Sequence, residues 1–366
     1  MNKKAIDFLF WNQNIQYEIK TREIVKDSFL LRDRNCSMSM ISSADAIFKT
    51  MTLEKLFDII KDKKEIFEST LCPNVVIHRE EHGQLWLTPE WKIFIKKCYD
   101  LGIHNMLYDF GYFSHYQSYL VDINDSEGKS SIHTEWPTVS SDPINWNDVA
   151  AYVKAYRDKI LKDIDSAKKQ PPLAGLESGG YVVVWAQYAL DLIRKELRDN
   201  ISKKTEVTDW CLRMCDKVRS LGLEPVVKTG PAMHAWSRFK PEEVAEQAKI
   251  FVHYPMHEHK FTGALFDPRV NSRLIAHAKF HIVNCSSVTN ELVLAEAPII
   301  ATGRSWFTGL GIFNEPNSWD TILEDTTSIN EKNRNKWINW CLSRQVAKQE
   351  IIPKLLEVYK KHKDTI

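Results

Sequence analysis

The sequence predicts an α/β protein built from two doubly wound domains. Short apolar runs alternate with segments of helical period, the rhythm of a parallel sheet with crossover helices. A chain of 366 residues, at about 150 residues per domain, has room for two such sheets. The string Gln170-Pro171-Pro172-Leu-Ala-Gly175 interrupts the rhythm near its middle and marks a boundary between them.

The elements follow in order. Residues 44–70 repeat apolar positions at steps of three and four, through Leu53, Leu56, Ile59, Ile60 and Phe67, and predict an amphipathic helix. Residues 74–78 predict a short buried strand, and 89–101 a helix with Pro89 in its first turn. Residues 104–109 predict the next strand, ending at Gly111. Residues 124–146 are rich in Ser, Asp, Gly, Pro and Thr and read as loop. A helix charged on one face is expected over about 146–168.

Beyond the Pro-Pro break the alternation is cleaner. Strands are expected at 181–185, 224–228, 250–252, 280–284 and 298–301. Helices are expected at 205–220, 241–248, 270–278 and 287–296, then a last one over 330–361, interrupted near Pro353. In such a sheet a ligand lies in the crevice at the carboxyl ends of the strands.

Composition excludes several classes. With 43% hydrophobic and 27% charged residues the chain is neither disordered nor fibrous. The formal charge of +1 supplies no global basic field for nucleic acid, though it is compatible with a local basic patch. Seven scattered Cys form no disulfide framework, which fits a reducing compartment. The apolar run before Trp11 is too short and too polar for a signal peptide, and no stretch approaches the ~20 apolar residues of a membrane span. A cytoplasmic, soluble protein is expected.

The most informative stretch runs from Phe280 to Gly311. It reads as a strand ending in Asn284-Cys-Ser286-Ser287, a helix carrying Glu291, then Ala-Pro298 and a second strand ending in Thr302-Gly303-Arg304. Ser286 and Ser287 fall where a helix begins, so their hydroxyls and the free backbone N–H groups face an anion such as phosphate. Glu291 follows one turn later and can accept from a ribose or a base. The plainer reading makes one of the two serines an N-cap.

Asn284-Cys-Ser-Ser-Val-Thr-Asn-Glu291, then Ala-Pro298-Ile-Ile, then Gly303-Arg304-Ser-Trp-Phe-Thr-Gly309-Leu-Gly311 resembles the signature of capsule polysaccharide biosynthesis proteins, which include the Kdo transferases. Weaker echoes cover most of the chain. Tyr108-Asp109-Phe-Gly111-Tyr112 resembles the family's acidic strand end, and Gln187-Tyr-Ala-Leu-Asp191 its Gln-x-x-x-Asp element. Pro225-Val-Val-Lys228 resembles the strand leading to its Lys-x-His-Pro motif, but Gly230 stands where His is expected, with His234 four residues on.

The resemblance implies a GT-B-type glycosyltransferase: two facing Rossmann-like domains with a crossover helix. It divides the chain into an acceptor domain (1–172), a nucleotide-sugar domain (173–335) and a terminal helix (336–366) packing back on the first. The donor, CMP-Kdo-like, is a substrate, and neither a cofactor nor a metal is expected. Lys228, His234, His253, His257, Ser286, Ser287, Glu291 and Arg304 would bind the donor. Tyr112 and Gln187 would face the acceptor, a surface polysaccharide or glycolipid.

Glycosyl transfer needs a stabilised leaving phosphate and a base or equivalent for the acceptor hydroxyl. Asp191 is the candidate for that carboxylate, and equally a charge favouring the start of a helix near Gln187. Asp109 with Tyr112 is placed to orient an acceptor hydroxyl, or simply ends a strand. His253, His257 and His259, and the pair His277 and His281, have spacings that suit zinc, but no Cys pair or His-Glu-x-x-His pattern accompanies them. The lysines at 354, 360, 361 and 363 read as a solvated helix face or as a peripheral contact with a membrane's inner surface. Two rival functions stand beside the first: a viral DNA glycosyltransferase acting on a modified pyrimidine, and a non-catalytic sugar-nucleotide-binding protein.

Overall fold

The computed structural model describes residues 6–12, 36–42, 75–79, 104–113, 118–122, 131–186, 206–229, 239–252, 270–284, 286–302, 307–315, 329–347 and 350–362. The chain divides into two compact units, one of Met1–Thr134 with Cys341–Ile366, the other of Glu135–Trp340. The expected helices at 44–70 and 89–101 lie outside the described residues.

The first unit holds a six-stranded sheet. Its strands are β1 (Ile6–Asn12), β2 (Cys36–Ser42), β3 (Val75–Arg79), β4 (His104–Phe110), β5 (Tyr119–Asp122) and, from the far end of the chain, β11 (Gln345–Val346). The order is β11-β5-β4-β3-β1-β2. The last four are parallel, whereas β5 runs antiparallel to β4 and β11 antiparallel to β5. Strands β1, β2, β5 and β11 were not expected. The last two, of four and two residues, are too short to show a period.

Gln345 accounts for the position of β11. Its side-chain amide accepts from Phe113 N at 2.8 Å and donates to Phe113 O at 2.7 Å, two buried bonds between segments 232 residues apart. Gly111 makes room for this clamp: a Cβ there would lie 2.1 Å from Ser118 Oγ and 2.7 Å from Gln345 Cδ. The single helix expected over 330–361 is therefore two, α7 (Glu331–Arg344) and α8 (Ile351–His362). The break falls at β11. Pro353 sits in the first turn of α8, where its missing N–H has no partner to lose.

The second unit holds a five-stranded sheet of β6 (Tyr181–Ala186), β7 (Glu224–Thr229), β8 (Ile250–Val252), β9 (Phe280–Val283) and β10 (Ile299–Ala301). Every pairing is parallel, in the order β10-β9-β6-β7-β8. Counting from β6 this is the doubly wound order 3-2-1-4-5. All six residues of β6 are buried, because a central parallel strand is covered on both faces and reads as a continuous apolar run.

Helix α3 (Glu206–Ser220) covers one face of this sheet. Val207, Trp210, Cys211, Met214, Cys215 and Val218 recur at helical spacing, and all are buried in one cluster with Val182, Val184 and Ile282. The helix stops at Gly222, whose φ of +70° lets its N–H reach Arg219 O while Leu223 N reaches Val218 O. Helices α4 (Pro241–Gln247), α5 (Val270–His277) and α6 (Val288–Leu294) occupy the other connections.

Helix α2 (Ala151–Lys168) also belongs to the second unit, where it packs against α5. Arg273 Nη2 donates to Pro171 O and Pro172 O, each at 2.9 Å, and His277 Nε2 lies 3.0 Å from Ala167 O. The Pro-Pro break is thus an internal connection, and the division falls at Thr134/Glu135 rather than at 172. A proline pair ends a helix whether or not a domain ends with it. The stretch 124–146 is not loop throughout: α1 (Ile132–Glu135) and a 3₁₀ turn at Trp136–Thr138 lie within it. Among the described residues no helix is long and apolar enough to cross a membrane.

Candidate functional site

In the second unit the strand order reverses between β6 and β9, the switch point where an open α/β sheet opens its crevice. Trp185, near the end of β6, pairs with Lys228 of β7 on one side and with Val283 of β9 on the other. Partners in a parallel ladder share a face, so these three residues form one row. The face belonging to α3 is apolar. The opposite face carries the chemistry.

Lys228 is buried, with Nζ 5.3 Å from the centre of the Trp185 ring. Burial strips water from the ammonium and pulls its pKa down to about 8, and the charge of Glu291 opposes that fall. The Trp185 indole N–H donates to His281 Nδ1 at 3.2 Å. His281 is fully buried and its pKa is pushed to about 3, so it is neutral with its proton on the other nitrogen.

Glu291, on α6, is held above the usual carboxylate range by burial, while Lys228 and Lys159 pull it back. Tyr156 of α2 is raised by burial first and by the Glu291 charge second. Three elements thus bring a phenol, a carboxylate and a buried ammonium into one electrostatic neighbourhood. Tyr156 and Lys159 were not expected here. Both sit on a helix assigned from sequence to the other domain, and its charged face gives no sign of the contact.

The turn between β9 and α6 holds the serines. Ser287 is exposed and makes no side-chain cap, whereas Ser286 Oγ accepts from Val288 N at a long 3.4 Å. Helix α6 is only seven residues long, so the attraction for an anion falls to Lys228 rather than to a helix dipole. Just before the turn, Asn284 is fully buried. Past β10, Asn314 bridges in parallel to Ile300, which brings Glu315 level with the strand's carboxyl end. Gly309 N donates to Glu315 Oε2 at 2.7 Å, and burial raises that carboxyl to about 7. Glu315 was missed because it lies beyond the stretch that carries the motif.

Of the expected site residues, Lys228 and Glu291 act on each other's charge, and Ser286 and Ser287 lie in the turn that leads into the helix of Glu291. Tyr112 is half-buried in the first unit, two residues past the end of β4, and Asp109 lies on β4 itself. Gln187, Asp191, His234, His253, His257, His259 and Arg304 lie outside the described residues. His277 and His281 are engaged with Ala167 O, Ser178 Oγ and the Trp185 indole. Among the described residues no group of three or more His, Cys, Asp or Glu is placed to hold a metal.

No protein-family model matches the sequence, and no curated protein matches it. Solved structures do. A Thermosulfurimonas dismutans KpsC described as a beta Kdo 2,7 transferase has a TM-score of 0.50 at 13% identity, covering 96% of this chain and 99% of that one. A second KpsC structure from that organism, a beta Kdo 2,4 transferase, has a TM-score of 0.46 at 10% identity, covering 92% and 90%. A Methanocaldococcus jannaschii UDP-GlcNAc 2-epimerase has a TM-score of 0.34 at 11% identity, covering 92% and 99%. At such identities the likeness to the first of these speaks for the fold alone: the chain has the two-unit, Rossmann-like α/β architecture of the GT-B type.

Proposed function

We propose that the chain is a glycosyltransferase that binds a nucleotide-activated sugar in its second unit. One observation carries this reading: a buried ammonium, Lys228, at the carboxyl ends of the strands beside the switch point of a doubly wound sheet. With a pKa of about 8 it keeps its proton at neutral pH. A protonated ammonium at this end of the sheet attracts the phosphate of a nucleotide.

Around that anchor, Ser286 and Ser287 donate to the phosphate and Glu291 accepts from a hydroxyl or base. His234, His253, His257 and Arg304 complete the donor site. Asp191 acts on the chemical step, while Asp109, Tyr112 and Gln187 orient the acceptor. The donor is CMP-Kdo-like and is consumed as substrate. The fold likeness to a Kdo transferase and the Asn284–Gly311 resemblance both favour that choice.

A growing surface glycan or glycolipid is preferred to DNA as acceptor because a formal charge of +1 offers little to a polyanion. A DNA acceptor would reveal itself by affinity falling steeply with salt. The C-terminal lysines are tested as an inner-face membrane contact by co-sedimentation with anionic vesicles.

Calorimetry with cytidine and uridine sugar nucleotides tests the donor reading, and absence of binding across the set overturns it. Turnover then separates an enzyme from a binding protein that kept the fold, a reading that Gly230 in place of His invites.

A further inference from the structure

Asn284 is fully buried at the carboxyl end of β9, and neither its Oδ1 nor its Nδ2 has a hydrogen-bond partner among the described residues. Thr289, five residues on in the first turn of α6, is also fully buried with its Oγ1 unpartnered. Folded proteins rarely leave such groups unpaired, because each costs its full desolvation without a bond in return. Two orphans flanking one turn, at the switch point of the sheet, mark a place where the missing partners come from a ligand. Ser286 is half-buried and Ser287 exposed, so the turn that follows Asn284 reaches the protein surface within three residues.

A carboxamide is a two-point reader, with one accepting oxygen beside one donating NH₂. Phosphate oxygens only accept, so a phosphate leaves Oδ1 unsatisfied. A vicinal diol presents an O–H donor next to an oxygen acceptor and satisfies both atoms. In a nucleotide sugar the groups bonded directly to phosphate are the ribose and the transferred sugar, and both carry hydroxyls. We propose that Asn284 is a specificity-determining residue of the donor site, reading a vicinal diol on a sugar attached to the phosphate that Lys228 holds. This rests on the donor-site reading above and adds the group that tells one donor from another.

A ligand-reading asparagine and a structural one respond differently to substitution. If its polar atoms serve the ligand and nothing in the free protein, removing them weakens binding without lowering stability. Asn284→Ala and Asn284→Val, the second refilling the space with apolar atoms, are measured in the full chain. Melting temperature is read without ligand. Calorimetry is run with cytidine 5′-monophosphate, its 2′-deoxy form and CMP-Kdo.

Wild type is expected to bind, and both variants to lose roughly ten- to a hundredfold in affinity, the cost of a site reader left unmatched. The melting temperature of at least one variant should stay at or above that of wild type. Loss confined to CMP-Kdo assigns the diol to the transferred sugar. Loss for cytidine monophosphate but not its deoxy form assigns it to the ribose.

Equal loss for the ribo and deoxy nucleotides would point to the base edge and overturn the diol. Unchanged affinity in both variants, or a marked drop of melting temperature in both, overturns the proposal while the donor reading stands. If wild type binds none of the three probes, the donor reading itself fails.

Discussion

Lys228 and Trp185 are cross-strand partners in the β6–β7 ladder, and the lysine's Nζ stands 5.3 Å from the centre of the indole ring. The same indole uses its N–H to bond His281, so one side chain meets a buried cation with its face and a neutral imidazole with its edge. The aromatic surface softens the cost of burying the ammonium without neutralising it. Lys228 Nζ also lies 3.4 Å from Thr229 O, and the charge of Glu291 acts on it as well.

The first prediction concerns pH. Burial sets the Lys228 pKa at about 8, below the ordinary value of 10.5, so its charge is lost as pH rises through about 8. Affinity for an anionic nucleotide should be level below that point and fall above it, by up to about tenfold per pH unit. Lys228→Met should flatten the profile and cost about 30-fold or more at pH 7. Calorimetric titrations from pH 6.5 to 9.5 check both outcomes.

His281 sets an acid limit. Its folded pKa of about 3 lies below the ordinary 6.5, so the unfolded chain takes up this proton first as pH falls. The stability it contributes is complete above pH 6.5 and declines between there and about 3, with a slope of at most about 1.4 kcal/mol per pH unit. Melting temperature should fall over that window. In His281→Phe the fall should be shallower, from a lower starting point, because the Trp185 N–H loses its acceptor.

Two glycines are required for different reasons, and alanine separates them. At Gly111 a Cβ meets Ser118 and Gln345, so Gly111→Ala should cost about 1–3 kcal/mol by displacing the Phe113 clamp. At Gly222 nothing lies within 4 Å, but φ is +70°, so Gly222→Ala should cost about 1 kcal/mol from backbone strain alone. Urea denaturation midpoints measure each. A Gly111→Ala protein as stable as wild type would show that Ser118 and Gln345 yield freely.

The chemical step is tested by kinetics. Asp191→Asn should lower kcat and kcat/KM together by at least ~10²-fold with little change in donor affinity, as for a group acting only in the transition state. Ser286→Ala should mainly raise KM. An Asp191→Asn enzyme turning over at wild-type rate would leave Asp191 as a helix-start charge.

By itself the sequence determined the five strands of the second unit and the helices that connect them, because each strand centres on a short apolar run bounded by helical period. Tyr181–Ala186, Glu224–Thr229 and Phe280–Val283 all lie within a residue or two of their expected positions. It also determined the fold class. Where sequence failed, the signal was too short or too local. A two-residue strand has no period, and the Pro171-Pro172 break looked like a domain boundary although Arg273 folds back to bond it.

Only the tertiary structure decided which residues share a site. In a run such as Tyr-Val-Val-Val-Trp-Ala every position is buried, so nothing local tells the face turned to α3 from the face that carries Lys228 and His281. That follows from register, which pairs Trp185 with Lys228 on one side and Val283 on the other. Tyr156 reaches the charge of Glu291 because α2 packs against α6. The pKa of Lys228 and the unpartnered amide of Asn284 are likewise products of burial, which arises only when distant segments close over the same few atoms.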